Sequence, residues 1–150
     1  MPHLAIALAL LAAPASAQPT PPDDWQVLST PRPVTEVVTR LKARIGAGGG
    51  RVVAIVDHAA NARATGEPLA ETTVVIFGNP KLGTPLIARN RAIALDLPQR
   101  MLVWREGGAT KVGYLRPAAL GARYAFPADD PAIVAMDKAL SGLAAAAAAP

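Results

Sequence analysis

The 150-residue chain contains no cysteine. That absence excludes thiol catalysis, iron–sulfur clusters, covalently attached c-type haem and any disulfide staple. Aromatic residues are scarce as well: two Trp, two Tyr and two Phe. A nucleic-acid platform needs clustered cations interleaved with stacking rings. Here charges of both signs are scattered with no basic run, so no nucleic-acid partner is expected. The net charge of +4, in which arginine outnumbers lysine, reads as solubility and weak attraction to anionic surfaces. Histidine is limited to His3 and His58. Without a His-x-x-x-His or cysteine pair, no tetrahedral metal set can be assembled. No metal site and no cofactor are therefore expected. The one route left open to haem or a metal runs through His58, with Met101 or Met136 as a soft partner. Both methionines lie in apolar periodic segments, where core packing is the simpler reading. Beyond residue 17 the serines are Ser29 and Ser141, and neither sits in a nucleophile elbow.

Long apolar runs are also missing, except near the start. Leu4–Ala13 is apolar but too short to cross a bilayer core, which takes about 20 residues. It is followed by Ala15-Ser16-Ala17, a small-x-small pattern. Together these read as a secretory signal peptide over residues 1–17, cut after Ala17, and so as a periplasmic or secreted protein. No Lys or Arg precedes the run, and a buried N-terminal helix is the alternative. Cleavage would leave 133 residues (150 − 17) with the same net charge, no membrane span and His58 as the sole imidazole. That length suits one domain with a real core.

Residues 18–30 read as a proline-rich linker and a first short strand over Trp25–Ser29. Pro31 and Pro33 introduce a helix whose apolar positions are Val34, Val37, Val38, Leu41 and Ile45, the spacing of one buried face. Gly46–Gly50 ends it. Arg51–Val56 and Thr72–Phe77 are β-branched and apolar, as buried strands are. Asp57 can cap a helix over His58–Ala64, which Gly66 stops. A short helix is expected across Lys81–Asn90, while Ala92–Leu95 is ambiguous. Arg100–Arg105 and Lys111–Leu115 form a hairpin through Glu106-Gly107-Gly108-Ala109. Residues 31–127 are thus expected as an α+β domain. Pro117–Tyr124 is its last short helix. Residues 128–150 follow as a C-terminal helix whose Ala-rich tail, Ala144–Ala149, should fray. Early alternation and a late hairpin argue for a two-layer sandwich of a mixed or antiparallel sheet with helices on one face.

Three stretches, in this order and spacing, carry a family likeness. They are Ile55-Val56-Asp57-His58, then Val74-Val75-Ile76-Phe77-Gly78-Asn79-Pro80-Lys81, then Leu95-Asp96-Leu97-Pro98 running into Met101-Leu102-Val103-Trp104. With Val112-Gly113-Tyr114 and Pro117, the chain resembles the family known as domain of unknown function 302 over about Val34 to Pro127. The resemblance implies a compact α+β domain that dimerises, and it assigns no chemistry.

Two places in the chain are candidates for a site. His58 lies where a strand ends and a helix begins. The helix dipole biases its imidazole toward neutrality, while Asp57 pulls the other way. Asp57 or Asp96 could orient it as a general acid/base. An N-cap aspartate beside a structural histidine is the competing reading. Gly78-Asn79-Pro80-Lys81 is the second candidate. The amides after Pro80, with Lys81 and Thr84, could hold a small anion, although a turn that merely starts a helix accounts for the same residues. The leading expectation is a small-ligand-binding or interaction domain with a pocket bordered by His58, Asn79, Lys81 and Thr84, assembled as a homodimer. An enzyme built on His58 and a structural dimerisation domain without a ligand are the alternatives.

Overall fold

The computed structural model describes residues 22–150. The expected leader and most of the linker, residues 1–21, lie outside the described residues. In chain order the elements are β1 (Trp25–Thr30), α1 (Val34–Ala47), β2 (Arg51–Asp57), α2 (His58–Ala64), β3 (Thr72–Gly78) and α3 (Pro80–Arg89). A short 3-10 helix (Arg91–Leu95), β4 (Gln99–Glu106), β5 (Ala109–Leu115), α4 (Pro117–Arg123) and α5 (Pro131–Ala148) follow. The strands form one sheet in the order β1-β5-β4-β3-β2, antiparallel at every pairing. The mixed or antiparallel sheet expected from the sequence is thus wholly antiparallel. β2 through β5 run as a meander, and α1 carries the chain from one edge strand, β1, to the other, β2.

Strand alternation separates the two faces of the sheet. Val75, Phe77, Met101, Val103, Val112 and Tyr114 point to one face and are buried. Onto them pack Val37, Leu41 and Ile45 of α1 and Ile133, Met136 and Leu140 of α5, in a single apolar cluster. Val27, Val74, Ile76, Leu102 and Trp104 point the other way and are half-buried. Gly113 belongs to that second face. A Cβ there would come within 2.9 Å of Trp104 and 3.3 Å of Trp25, so the absent side chain is what lets both indoles lie over β5.

Local chemistry fixes the connections. Gly107 and Gly108 take φ of 55° and 81° between β4 and β5, the left-handed pair that a tight two-residue hairpin turn needs. Asp57 accepts from the Ala60 amide at 2.8 Å and caps α2. Asn90 accepts from the Ala92 amide at 3.1 Å and starts the 3-10 helix over the stretch that was ambiguous in sequence.

Two expectations fail. β2 is not a buried strand: it is an outer strand of the sheet, exposed at Arg51, Val53, Ala54, Ile55 and Asp57, because a β-branched apolar run reports strand preference and not position in the sheet. The alanine tail does not fray: α5 continues to Ala148, with Ala144 and Ala147 fully buried. Small side chains let this end of α5 approach α1 closely. Two α1-side arginines then satisfy the carbonyls that a helix end leaves open. Arg32 Nε donates to Ala149 O at 2.7 Å and Arg40 donates to Ala146 O at 3.1 Å. Tertiary partners, rather than the weak helix propensity of an isolated alanine run, set where this helix ends.

Candidate functional site

The residues singled out in sequence divide between opposite ends of the sheet. Asp57 pairs with Thr73 and Arg51 with Gly78, so β2 carries His58 at one end and the Gly78–Lys81 turn lies at the other. Six steps along β2 amount to about 20 Å. His58 is exposed at the start of α2. Its neighbour Asp57 is turned to the Ala60 amide. Asp96 lies just before β4, whose first residue Gln99 pairs with Phe77, and so belongs to the far end as well. The structure therefore does not bring Asp96 to His58, nor His58 to Asn79 and Lys81. Met101 is fully buried in the core, and Met136, 3 % exposed, accepts a hydrogen bond from Gln99 Nε2 at 2.9 Å. Among the described residues no group of three or more His, Asp or Glu side chains is placed to hold a metal ion.

Asp96 is instead held by its own surroundings. Tyr124 Oη donates to it at 2.7 Å and Arg123 at 3.0 Å, with Arg100 at 3.5 Å. The tyrosine hydrogen bond, ahead of the arginine contacts, holds the Asp96 carboxyl below the ordinary aspartate range. Asp130 behaves alike. It accepts from Arg89 at 2.7 Å and caps α5 through the Ala132 amide at 2.9 Å, and the arginine lowers its pKa. Both aspartates have a lower pKa folded than unfolded. Their stabilisation is complete above the ordinary aspartate value of about 3.9 and is lost as pH falls through the lowered folded values. Asp96→Asn and Asp130→Asn are each expected to lower Tm at pH 7, and to lower it progressively less as pH falls below the ordinary aspartate value. Equal losses across that range in thermal melts would contradict this.

Asn79, Thr84 and Gly78 line a groove of about 1010 Å³. Its walls come from the end of α1, the start of β2, the end of β3, α3, the segment leading into β4, and one side of α5. Apolar side chains dominate them, among them Ile45, Val52, Phe77, Leu82, Leu97, Met136 and Leu143. Lys81 is exposed beside the groove and is not among the lining residues.

The turn itself departs from the expected anion cradle. Asn79 Oδ1 accepts from the Lys81 amide at 3.0 Å, and Asn79 O accepts from the Leu82 and Gly83 amides at 2.9 and 3.0 Å. Pro80 has no amide hydrogen. The first amides of α3 are thus already used within the turn, and an anion would have to be met by side chains. Asn79 Nδ2 also donates to Gly48 O at 3.3 Å, which ties the glycine loop after α1 to this end of β3.

The contribution of α5 to the groove was not read from the sequence, though a signal existed. Ala139, Gly142 and Ala146 recur on one side of α5 and line the groove. A Cβ added at Gly142 would meet nothing within 4 Å. Small residues there leave open the space that larger ones would fill.

Comparisons with known proteins agree with the fold. The crystal structure of an uncharacterized conserved DUF302 protein from Bacillus stearothermophilus superposes with a TM-score of 0.75 at 18% identity, covering 82% of this chain and 97% of that one. Two curated relatives are 40% identical over 105 residues, 69% of this chain. They are named fluoride-specific ion channel FluC 1 of Brucella suis biovar 1 and FluC 2 of Brucella melitensis biotype 1. The chain spans about two fifths of their length, 41% and 39%. The model of the family described as "Domain of unknown function DUF302" matches residues 25–145, and the chain belongs to that family.

Proposed function

We propose that this chain is an exported binding module that takes a small, largely apolar molecule in the groove between α1, α3 and α5. The groove is the observation that carries the reading. Its volume of about 1010 Å³ stands at the upper end of the range of about 300–1,000 Å³ found for small-molecule sites. Asn79 and Thr84 supply polar contacts among apolar walls, the usual composition of such sites. Lys81 borders it. His58 is removed from the pocket by the length of β2, so neither the pocket nor an acid/base role is assigned to it. Export rests on residues 1–17 and remains part of the proposal.

The test uses decanol, a neutral apolar probe. A ligand that binds the folded state alone raises Tm with concentration. Decanol is expected to do so, and a groove-filling variant is expected to weaken the effect strongly. An unchanged Tm at all concentrations contradicts the reading.

A homodimer is a second proposal, favoured by the other sheet face. Val27, Val74, Ile76, Leu102 and Trp104 form an apolar strip there that a second copy would cover. Sedimentation velocity is expected to show a dimer that Leu102→Lys dissociates. A monomer across the whole concentration range contradicts it.

The Brucella relatives are named as ion channels, but the matched stretch is the smaller part of each. We read that stretch as a domain attached to the channel. Among the described residues α5 is the one helix long and apolar enough to cross a membrane, and its Ile133, Met136 and Leu140 side is buried against the sheet. Fluoride conduction is therefore not proposed for this chain.

A further inference from the structure

We propose that the molecule bound in the groove is a single-chain amphiphile with an anionic head, of the kind a medium-chain carboxylate represents. The inference rests on the pocket reading above and adds the charge and shape of its occupant. The lining includes Arg44 and Arg51 and no Asp or Glu. Arg44 is in the last turn of α1 and Arg51 opens β2, so the two cations flank the Gly48–Gly50 loop at one margin of the groove. Both are exposed, and among the described residues neither takes part in an ion pair. Arg32 and Arg40, by contrast, meet Glu36, and Arg89 meets Asp130, while Arg63 lies on α2 away from the groove lining.

Beyond the margin the walls are largely hydrocarbon, with Asn79, Thr84 and Gln99 as uncharged polar exceptions. Phe77 of β3, Leu97 of the segment leading into β4, and Met136 and Leu143 of α5 surround the interior. A ligand charged along its length would lose hydration here without finding partners. A wholly apolar ligand would leave the two arginines without counterions. An amphiphile satisfies both ends: its tail is removed from water and its carboxylate meets guanidinium groups, which bind carboxylates through paired donors. The turn amides of α3 have no part in this, because Asn79 already uses them.

Calorimetric titration with monomeric probes tests the assignment. Hexanoate, octanoate and decanoate are expected to bind with affinity rising roughly fourfold per methylene, the gain from removing one such group from water. Decanoate is expected to bind more tightly than decanol, and decanol more tightly than decyltrimethylammonium. The Arg44→Gln/Arg51→Gln double variant should weaken decanoate roughly tenfold and leave decanol unchanged, and added salt should act in the same direction. If decanol and decanoate bind alike, and the double variant changes neither, the anionic head is overturned while the pocket stands. Tighter binding of the cationic probe overturns it as well. If no probe binds, both readings fall together. Binding of decanoate only as micelles or in vesicles also overturns the assignment, because it removes the single-chain occupant.

Discussion

Replacing Leu41 by alanine is expected to lower the unfolding free energy by about 2–5 kcal/mol. Leu41 is fully buried on the face of α1 that meets the sheet and α5, in the cluster with Val37, Ile45, Val75 and Leu140. Removing the isobutyl group forfeits its transfer free energy. It also leaves a cavity, because neighbours on three different elements cannot all move in. Domains of this size are stable by about 5–15 kcal/mol, so the loss is a large fraction of the whole. The measurement is urea unfolding at neutral pH. Lys42→Ala, one residue along on an exposed position, serves as the control and should stay within about 0.5 kcal/mol of the parent. Equal midpoints for the Leu41 and Lys42 variants would mean that α1 does not pack as described. Leu41 does not line the groove, so the experiment tests the scaffold alone.

The second large effect concerns the groove alone. Gly142→Phe should leave the protein folded and at least as stable as the parent, yet strongly weaken binding of decanol. Glycine in the middle of a helix costs roughly 0.5–1 kcal/mol relative to alanine, and phenylalanine recovers part of that. No atom lies within 4 Å of the position a Cβ would take at Gly142, so the ring enters open space rather than the core. That space is the groove. A phenyl group there displaces several methylenes of any tail, and the loss should reach roughly tenfold or more in affinity. Thermal melts with and without decanol read both effects at once. A variant that melts normally and still binds decanol as the parent does would place the bound probe elsewhere. Binding at the apolar sheet face around Val74 and Leu102 would give that result.

Much of the fold could be read from local pattern. The spacing of Val34, Val37, Leu41 and Ile45 gives α1 and its buried face. The β-branched runs give β2 and β3, and Gly107-Gly108 gives the hairpin. These signals are local because each element needs only its own periodicity or turn chemistry. The end of α5 was not legible for the opposite reason. An alanine run carries little information by itself, and its order depends on α1 and on Arg32 and Arg40, which are more than 100 residues away in sequence.

The site was legible only in part, and for the same physical reason. Asn79 and Thr84 drew attention as a turn and a helix start, and they do line the groove. His58 drew attention as the lone imidazole beyond the leader, but periodicity within β2 says nothing about which end of the sheet a ligand would use. The arginines at the margin, Arg44 and Arg51, looked like ordinary surface charges. Their meaning comes from the absence of carboxylates around the same space, which only the assembled structure reveals. The use of the α3 amides by Asn79 was equally hidden, since it depends on the side-chain rotamer in one turn.

The most direct test of the account is a crystal of the protein soaked in 10-bromodecanoic acid, with the bromine located by its anomalous signal. The account predicts one bromine site among Phe77, Leu97 and Leu143, and carboxylate density beside Arg44 and Arg51. Bromine found only on the sheet face near Trp104, or at no ordered position, would contradict it.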